Sequence, residues 1–97
     1  MPYFIILSNW TDQGIKNVKE SPKRVAQAKA LVEKTGGKWL GLWYTFGLYD
    51  MVTLVESDND KSALINSLAV AMGGNIRTIT LKAFSAEEGA KLIAKLP

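Results

Sequence analysis

The chain has 97 residues, of which 47% are hydrophobic and 22% are charged, as is typical of one soluble globular domain spanning residues 1–97. Its 12 basic and 9 acidic side chains give a net charge of +3, and the basic excess lies in residues 1–40, which suits either an anionic partner or a solvated face. Cysteine and histidine are absent, which excludes disulfides, thiolate or imidazole zinc sites, His-ligated haem and nucleophilic triads that need either residue.

Hydrophobic periodicity and turn residues divide the chain into alternating strands and helices. The predicted elements, in chain order, are strand 3–10, a short helical segment 15–20, a helix from Ser21-Pro22 to Gly36-Gly37, strand 39–46, strand 51–56, a helix ending at Gly73-Gly74, strand 76–84 and a final helix after Ser85. This is the βαββαβα order of an α+β, ferredoxin-like split βαβ fold with an added C-terminal helix. We therefore expect an antiparallel four-stranded sheet.

Capping residues and apolar spacing predict how the helices begin and which face each one buries. We expect Ser21 to be the N-cap of the first long helix, Asp58 or Asp60 to cap the second, and Ser85 to cap the last. The buried stripe of the second helix is predicted to comprise Leu64, Ile65, Leu68, Ala71 and Met72.

The first two strands carry apolar side chains on both faces, although two helices can cover only one face of the sheet. The other face therefore needs a cover, either the C-terminal helix or a second subunit packed sheet to sheet. Because an exposed face with aromatic side chains would favour aggregation of a monomer, we expect a homodimer or a higher homo-oligomer.

A set of short motifs, in order along the chain, carries a family resemblance. The motifs are Trp10-Thr11-Asp12-Gln13-Gly14, Ser21-Pro22-Lys23-Arg24, Gly47-x-Tyr49-Asp50 followed by Met51-Val52, Arg77-Thr78, and Phe84-Ser85-Ala86-Glu87-Glu88. Together they resemble the GYD domain family of small bacterial and archaeal proteins. The resemblance implies a fold of the dimeric α/β-barrel type and says little about activity, since members are generally described as uncharacterised.

The hairpin around Tyr49 is also similar to one in the effector-binding domain of leucine-responsive transcription regulators. Those domains bind amino acids at subunit interfaces, but their helix-turn-helix is missing from this chain. A free-standing effector-sensing module is therefore an analogy from the fold alone.

Two groups of residues are candidates for a ligand-binding site. In the turn, Gly47 supplies unusual backbone angles, while Tyr49 and Asp50 either stabilise the turn or present a polar pair to a ligand. The second group interrupts apolar strands with polar or amphipathic side chains and comprises Asn9, Trp10, Trp43, Thr45, Arg77, Thr78 and Thr80. This group could line a pocket that stacks a flat ligand and pairs its carboxylate, or Arg77 could instead pair with Asp50 or Glu56 across strands.

The predicted function is a cytoplasmic small-molecule-binding or sensing module, with a carboxylated or aromatic ligand at a sheet or subunit interface. The alternatives are a small cofactor-independent enzyme of the monooxygenase-like dimeric-barrel class, whose catalytic residues stay unknown, and a structural assembly unit. We expect no metal site, because the acidic run at Glu56–Asp60 lacks the glycine and glutamate of a calcium loop. We also expect no cofactor, and no membrane segment because no apolar stretch approaches the length of a membrane span. An RNA-binding strand is not expected either, since Met51–Glu56 lacks the aromatic residues that stack on bases.

Overall fold

The computed structural model describes residues 2–97. Its elements are β1 Tyr3–Trp10, α1 Asp12–Lys16, a 3₁₀ turn Val18–Glu20, α2 Ser21–Lys34, β2 Lys38–Tyr44, β3 Met51–Glu56, α3 Asp60–Met72, β4 Ile76–Ala83 and α4 Ala86–Ile93. This order confirms the predicted ferredoxin-like α+β fold. Within the described residues, no helix is both long enough and apolar enough to cross a bilayer.

The four strands form one antiparallel sheet in the order β2-β3-β1-β4. The inner strand β1 pairs with β4 along its length and with β3 from Tyr3 to Ser8, so that Phe4 lies between Val55 and Lys82. The two β-α-β halves therefore interleave in the sheet, and residues of even number on β1 share one face.

The two faces of the sheet have different surroundings. Helices α2 and α3 pack on the face that carries Phe4 and Val55, which are buried together with Val32 of α2. This side is called the helix-covered face below. The opposite side, called the open face, carries the rows Leu54–Ile5–Leu81 and Val52–Leu7–Ile79 across β3, β1 and β4.

The predicted buried stripe of the second long helix is wrong. Its large apolar side chains point outward, with Leu64, Ile65 and Leu68 between 55% and 59% exposed and Met72 87% exposed. The residues towards the sheet are instead Ala63, Asn66, Ser67 and Val70, which line the space beneath the helix. We call Leu64, Ile65, Leu68 and Met72 the outer stripe.

Polar contacts accompany this orientation of α3. The Asn66 side-chain amide donates to Thr35 Oγ1 at 3.2 Å, and Ser67 Oγ lies 3.5 Å from Thr80 Oγ1 on β4. Periodicity locates an apolar stripe on a helix, but it does not show which side of the helix faces inward.

Two of the three predicted helix caps also differ from the structure. Asn59, not Asp58 or Asp60, caps α3 by accepting from the Ser62 backbone N–H at 2.8 Å. Ser21 is already the first residue of α2, and its hydroxyl lies 3.0 Å from the Tyr44 hydroxyl instead of capping the helix. Ser85 caps α4 through the Glu88 N–H, as predicted.

The short helix α1 docks against the loop that joins α3 to β4. The Thr11 N–H donates to the Asn75 carbonyl oxygen at 3.0 Å, and its hydroxyl donates to the Gly74 carbonyl oxygen at 2.6 Å. Gly14 is buried against the same loop, where an added Cβ would lie 1.8 Å from the Asn75 oxygen. Only glycine permits this approach of two backbones.

We expect Gly14→Ala to lower the free energy of unfolding by about 2 kcal/mol or more, because α1 must move away from the loop. Urea denaturation followed by circular dichroism measures the change. Gly89→Ala in α4 is the matched control, because an added Cβ there meets nothing within 4 Å and alanine favours a helix. Equal stability of the two variants would contradict the close packing of α1.

Candidate functional site

The β2–β3 turn is held to β1 by hydrogen bonds around Asp50. Its Oδ2 accepts from the Trp10 backbone N–H at 2.9 Å, and its own N–H donates to the Ser8 carbonyl oxygen at 2.9 Å. The Thr45 N–H donates to the Asp50 carbonyl oxygen at 2.8 Å, and the Thr45 hydroxyl donates to the Tyr49 carbonyl oxygen. These contacts support the structural interpretation of Asp50, and they place Thr45 in the turn, outside β2.

The tip of this turn contains the positive φ that the sequence predicts at Gly47, where φ is 96°. Strand β2 ends at Tyr44 and not at Phe46, and Phe46 is fully exposed. Tyr49 is half-buried between the tip and Asp50. The turn therefore projects beyond the sheet and exposes Phe46 and Leu48 to solvent.

The remaining candidate residues lie on opposite faces of the sheet. Asn9 and Arg77 are opposite each other on the open face, and Trp43 lies in the next row, opposite Val52. The Trp43 ring lies against Gly41, where an added Cβ would come within 2.8 Å of the ring. Trp10 belongs to the helix-covered face instead. The structure thus distributes the candidate residues over the turn and both faces, and does not gather them into one pocket.

Charged groups on the open face are concentrated at its ends. At one end, Glu56 lies between Lys38 and Tyr3 in the register. A hydrogen bond to Glu56, together with the negative charge of that carboxylate, raises the pKa of the Tyr3 phenol above its ordinary value. At the other end, the exposed Arg77 forms no ion pair with the residues from 2 to 97. Within these residues, Arg77 therefore forms an ion pair with neither Asp50 nor Glu56.

A cavity of about 280 Å³ lies on the helix-covered face, between α2, α3 and the central strands. Phe4, Ile6 and Val55 contribute apolar side chains from the sheet, and Leu31 and Val70 contribute them from the helices. Most of the lining surface is apolar, but eleven of the lining side chains are polar, and they are Ser8, Ser21, Arg24, Gln27, Thr53, Ser57, Asn66, Ser67, Asn75, Thr78 and Thr80. A mainly apolar surface with polar groups at intervals is the usual composition of a small-molecule site.

One end of the cavity contains aromatic and cationic side chains. The rings of Trp10 and Tyr44 stack with centroids 6.5 Å apart and planes 20° from parallel. Ser21 joins this pair to the start of α2 through the Tyr44 hydroxyl, and Arg24 follows one turn later on the same helix. We call the end formed by Ser8, Trp10, Ser21, Arg24 and Met51 the arginine end of the cavity.

Arg24 and Ser21 are absent from the candidates that the sequence analysis selected. A signal for Arg24 was nevertheless present, because Ala28 and Leu31 follow it at helical spacing, which places the arginine on the inward face of α2. An arginine within an apolar stripe is informative because unpaired buried charge is costly. The hydroxyl of Ser21 gave no comparable signal, since serine before proline is also typical of a helix start.

We expect Asp50→Ala to lower the free energy of unfolding by about 1–3 kcal/mol, because the half-buried Trp10 N–H loses its acceptor. Asp50→Asn keeps a side-chain oxygen in place, so its free energy of unfolding should decrease less. Thermal and urea denaturation measure both changes, with Glu33→Ala at an exposed position of α2 as the control. A fully stable Asp50→Ala protein would show that this hydrogen bond does not anchor the turn.

Comparison with solved structures shows the same fold in two other small proteins. The crystal structure of TTHA0845 from Thermus thermophilus matches with a TM-score of 0.56 and 19% sequence identity, over 89% of this chain and 96% of that one. The crystal structure of FFRP-DM1 matches with a TM-score of 0.57 and 21% identity, over 87% of this chain and 100% of that one. At sequence identities this low, the two matches show a shared fold and nothing about function.

A sequence relative covers nearly the whole length. It is the glutamine synthetase and cystathionine beta-lyase binding protein of Thermus thermophilus, which is 32% identical over 97 residues, 99% of each chain. The GYD domain family matches residues 4–93. With this match and the ferredoxin-like sheet, the chain belongs to the GYD domain family.

Proposed function

We propose that this protein is a homo-oligomeric module that binds a small organic molecule between its helices and its sheet. The observation that carries the proposal is the cavity of about 280 Å³ on the helix-covered face, whose mainly apolar walls include polar side chains. Its size is close to the lower limit of typical ligand pockets, which measure roughly 300–1,000 Å³. The volume suits a small metabolite.

The composition of the inner helix faces supports a cavity that a ligand fills. Ala28 on α2 and Ala63 and Ser67 on α3 are small, so they leave space above the central strands. The strands beneath contribute Thr53 and Ser8, which are buried. Buried hydroxyl groups next to open space provide the hydrogen-bonding positions that orient a ligand.

The open face supports the homo-oligomeric part of the proposal. Ile79 and Leu81 of β4 are 49% and 45% exposed, and Trp43 of β2 is 54% exposed. Contiguous apolar surface of this kind is a liability for a monomer and is typical of an interface. A second copy presents the same face, so two sheets can pack with their apolar rows together, as in an isologous dimer.

We expect the purified protein to retain a small organic molecule that native mass spectrometry detects and that denaturation releases. Ala28→Leu should lower the ligand occupancy at least severalfold, because the larger side chain takes up cavity volume. Ala30→Leu is the matched control, since Ala30 is exposed on the same helix. An empty protein that also fails to bind members of a fragment library by NMR would contradict the proposed function.

We expect Ile79→Lys to dissociate the oligomer, because it places a charge in an apolar row of the open face, next to Leu7. Leu68→Lys is the control, since Leu68 is 55% exposed on the outer stripe, away from that face. Light scattering coupled to size exclusion gives the mass of each variant. A wild-type monomer, or an Ile79→Lys oligomer unchanged in mass, would contradict pairing through the open face.

The outer stripe favours a second candidate function, binding to another protein. Four large apolar side chains of α3 have no cover in residues 2–97, and the Thermus thermophilus relative is named for binding two enzymes. In this candidate, the outer stripe contacts a metabolic enzyme such as glutamine synthetase. The two candidates use different surfaces, so the cavity variant and the outer-stripe variant distinguish them.

A further inference from the structure

We infer that the ligand of the cavity is an organic anion, a small carboxylate with an apolar body, whose negative charge pairs with Arg24. This inference rests on the proposed function and names the ligand class for the same cavity. It is drawn from the guanidinium group of Arg24, from the space beside it and from the side chains that surround that space.

The hydrogen bonds of the Arg24 guanidinium are incomplete. Its Nη1 donates to the carbonyl oxygen of the exposed Asn17 at 3.2 Å. Its Nη2 is buried and has no hydrogen-bond partner among residues 2–97. Guanidinium groups present a planar fork of donors that matches a carboxylate, so one free nitrogen on a positioned fork is a site for an anion.

No carboxylate of the described chain neutralises Arg24. The ion pairs in residues 2–97 join Lys82 to Asp60 and Lys91 to Glu87, and all four of these side chains are largely exposed. Burying part of an unpaired positive charge is unfavourable, and an anion in the cavity would remove this cost if the flexible side chain turned its shielded Nη2 towards the anion. The interaction therefore selects a charged ligand over a neutral one of the same shape.

The rest of the cavity defines the other part of the ligand. Phe4, Ile6 and Val55 provide apolar contacts beyond the arginine end, and Trp10 lines the same cavity as Arg24. The volume of about 280 Å³ lies just below the range of typical ligand pockets, roughly 300–1,000 Å³. A single aromatic ring or a short alkyl chain with one carboxylate fits such a space.

The two arginines of the protein provide a matched comparison. Arg77 lies on the opposite face of the sheet, where it is exposed and opposite Asn9. If the affinity for an anion came from the overall positive charge of the protein, loss of either arginine would lower it equally. If it came from the cavity, only loss of Arg24 would lower it.

The test is a titration of the wild-type protein, Arg24→Gln, Arg24→Lys and Arg77→Gln at pH 7. The probes are benzoate, phenylacetate and hexanoate, each paired with its neutral amide, and binding is followed by NMR of the tryptophan indole resonances and by calorimetry. We expect the wild type to bind at least one carboxylate about tenfold or more tightly than its amide. Arg24→Gln should lose this preference while amide binding changes less than about twofold.

The two remaining variants separate charge from fork geometry. Arg24→Lys keeps the charge but loses the fork, so it should retain only part of the preference. Arg77→Gln should bind carboxylates in preference to their amides as strongly as the wild type does. Circular dichroism establishes that each variant is folded, because Arg24 also binds the Asn17 carbonyl oxygen.

The outcomes distinguish this inference from the function on which it rests. Equal binding of carboxylates and amides, or a released passenger that carries no negative charge, overturns the anion while leaving a small-molecule site in place. An anionic passenger that Arg24→Gln loses and Arg77→Gln retains supports the inference even if no probe binds. If no probe binds and no passenger is present, both the inference and the proposed function fail.

Discussion

A four-stranded sheet has two faces, and in this chain α2 and α3 cover only one of them. The strands are nevertheless apolar on both sides, because β1 alternates Phe4 and Ile6 on one face with Ile5 and Leu7 on the other. Packing on the helix-covered face buries Phe4, Val32 and Val55, whereas Trp43 and Ile79 remain about half exposed. The imbalance between apolar surface and available cover is the reason to expect a second copy.

A second constraint is the size of the side chains beneath the helices. Helix α3 presents Ala63, Ser67 and Val70 inward and its larger residues outward, so the layer between helix and sheet is thinly filled. Protein interiors are normally packed about as densely as organic crystals, so a cavity of about 280 Å³ in so small a chain is a substantial departure. The outward rotation of α3 thus produces both the cavity and the outer stripe.

The polar side chains of the candidate site are of two kinds, those whose hydrogen bonds hold the fold together and those that still lack a hydrogen-bond partner. Asp50 gives a carboxylate oxygen to the Trp10 N–H, and its backbone N–H binds Ser8, so the family motif fastens the turn to β1. Arg24 differs because one of its nitrogens is buried without a partner in the described residues. A side chain whose hydrogen bonds are satisfied within the protein stabilises the fold. A buried donor without a partner can instead contribute to the free energy of binding, because a ligand that accepts its hydrogen bond removes the cost of leaving it unpaired.

The sequence by itself determined the order of the elements, the antiparallel hairpin, the positive φ at Gly47 and the Ser85 cap, because periodicity, turn residues and caps act over a few neighbouring positions. It also determined that the sheet would be apolar on both faces. Only the tertiary structure decided how α3 rotates, that Asn59 caps it, that the candidate residues separate onto opposite faces, and that Arg24 lies in a cavity. These features depend on contacts between residues far apart in the chain, such as Asn66 with Thr35, and local patterns carry no information about such partners.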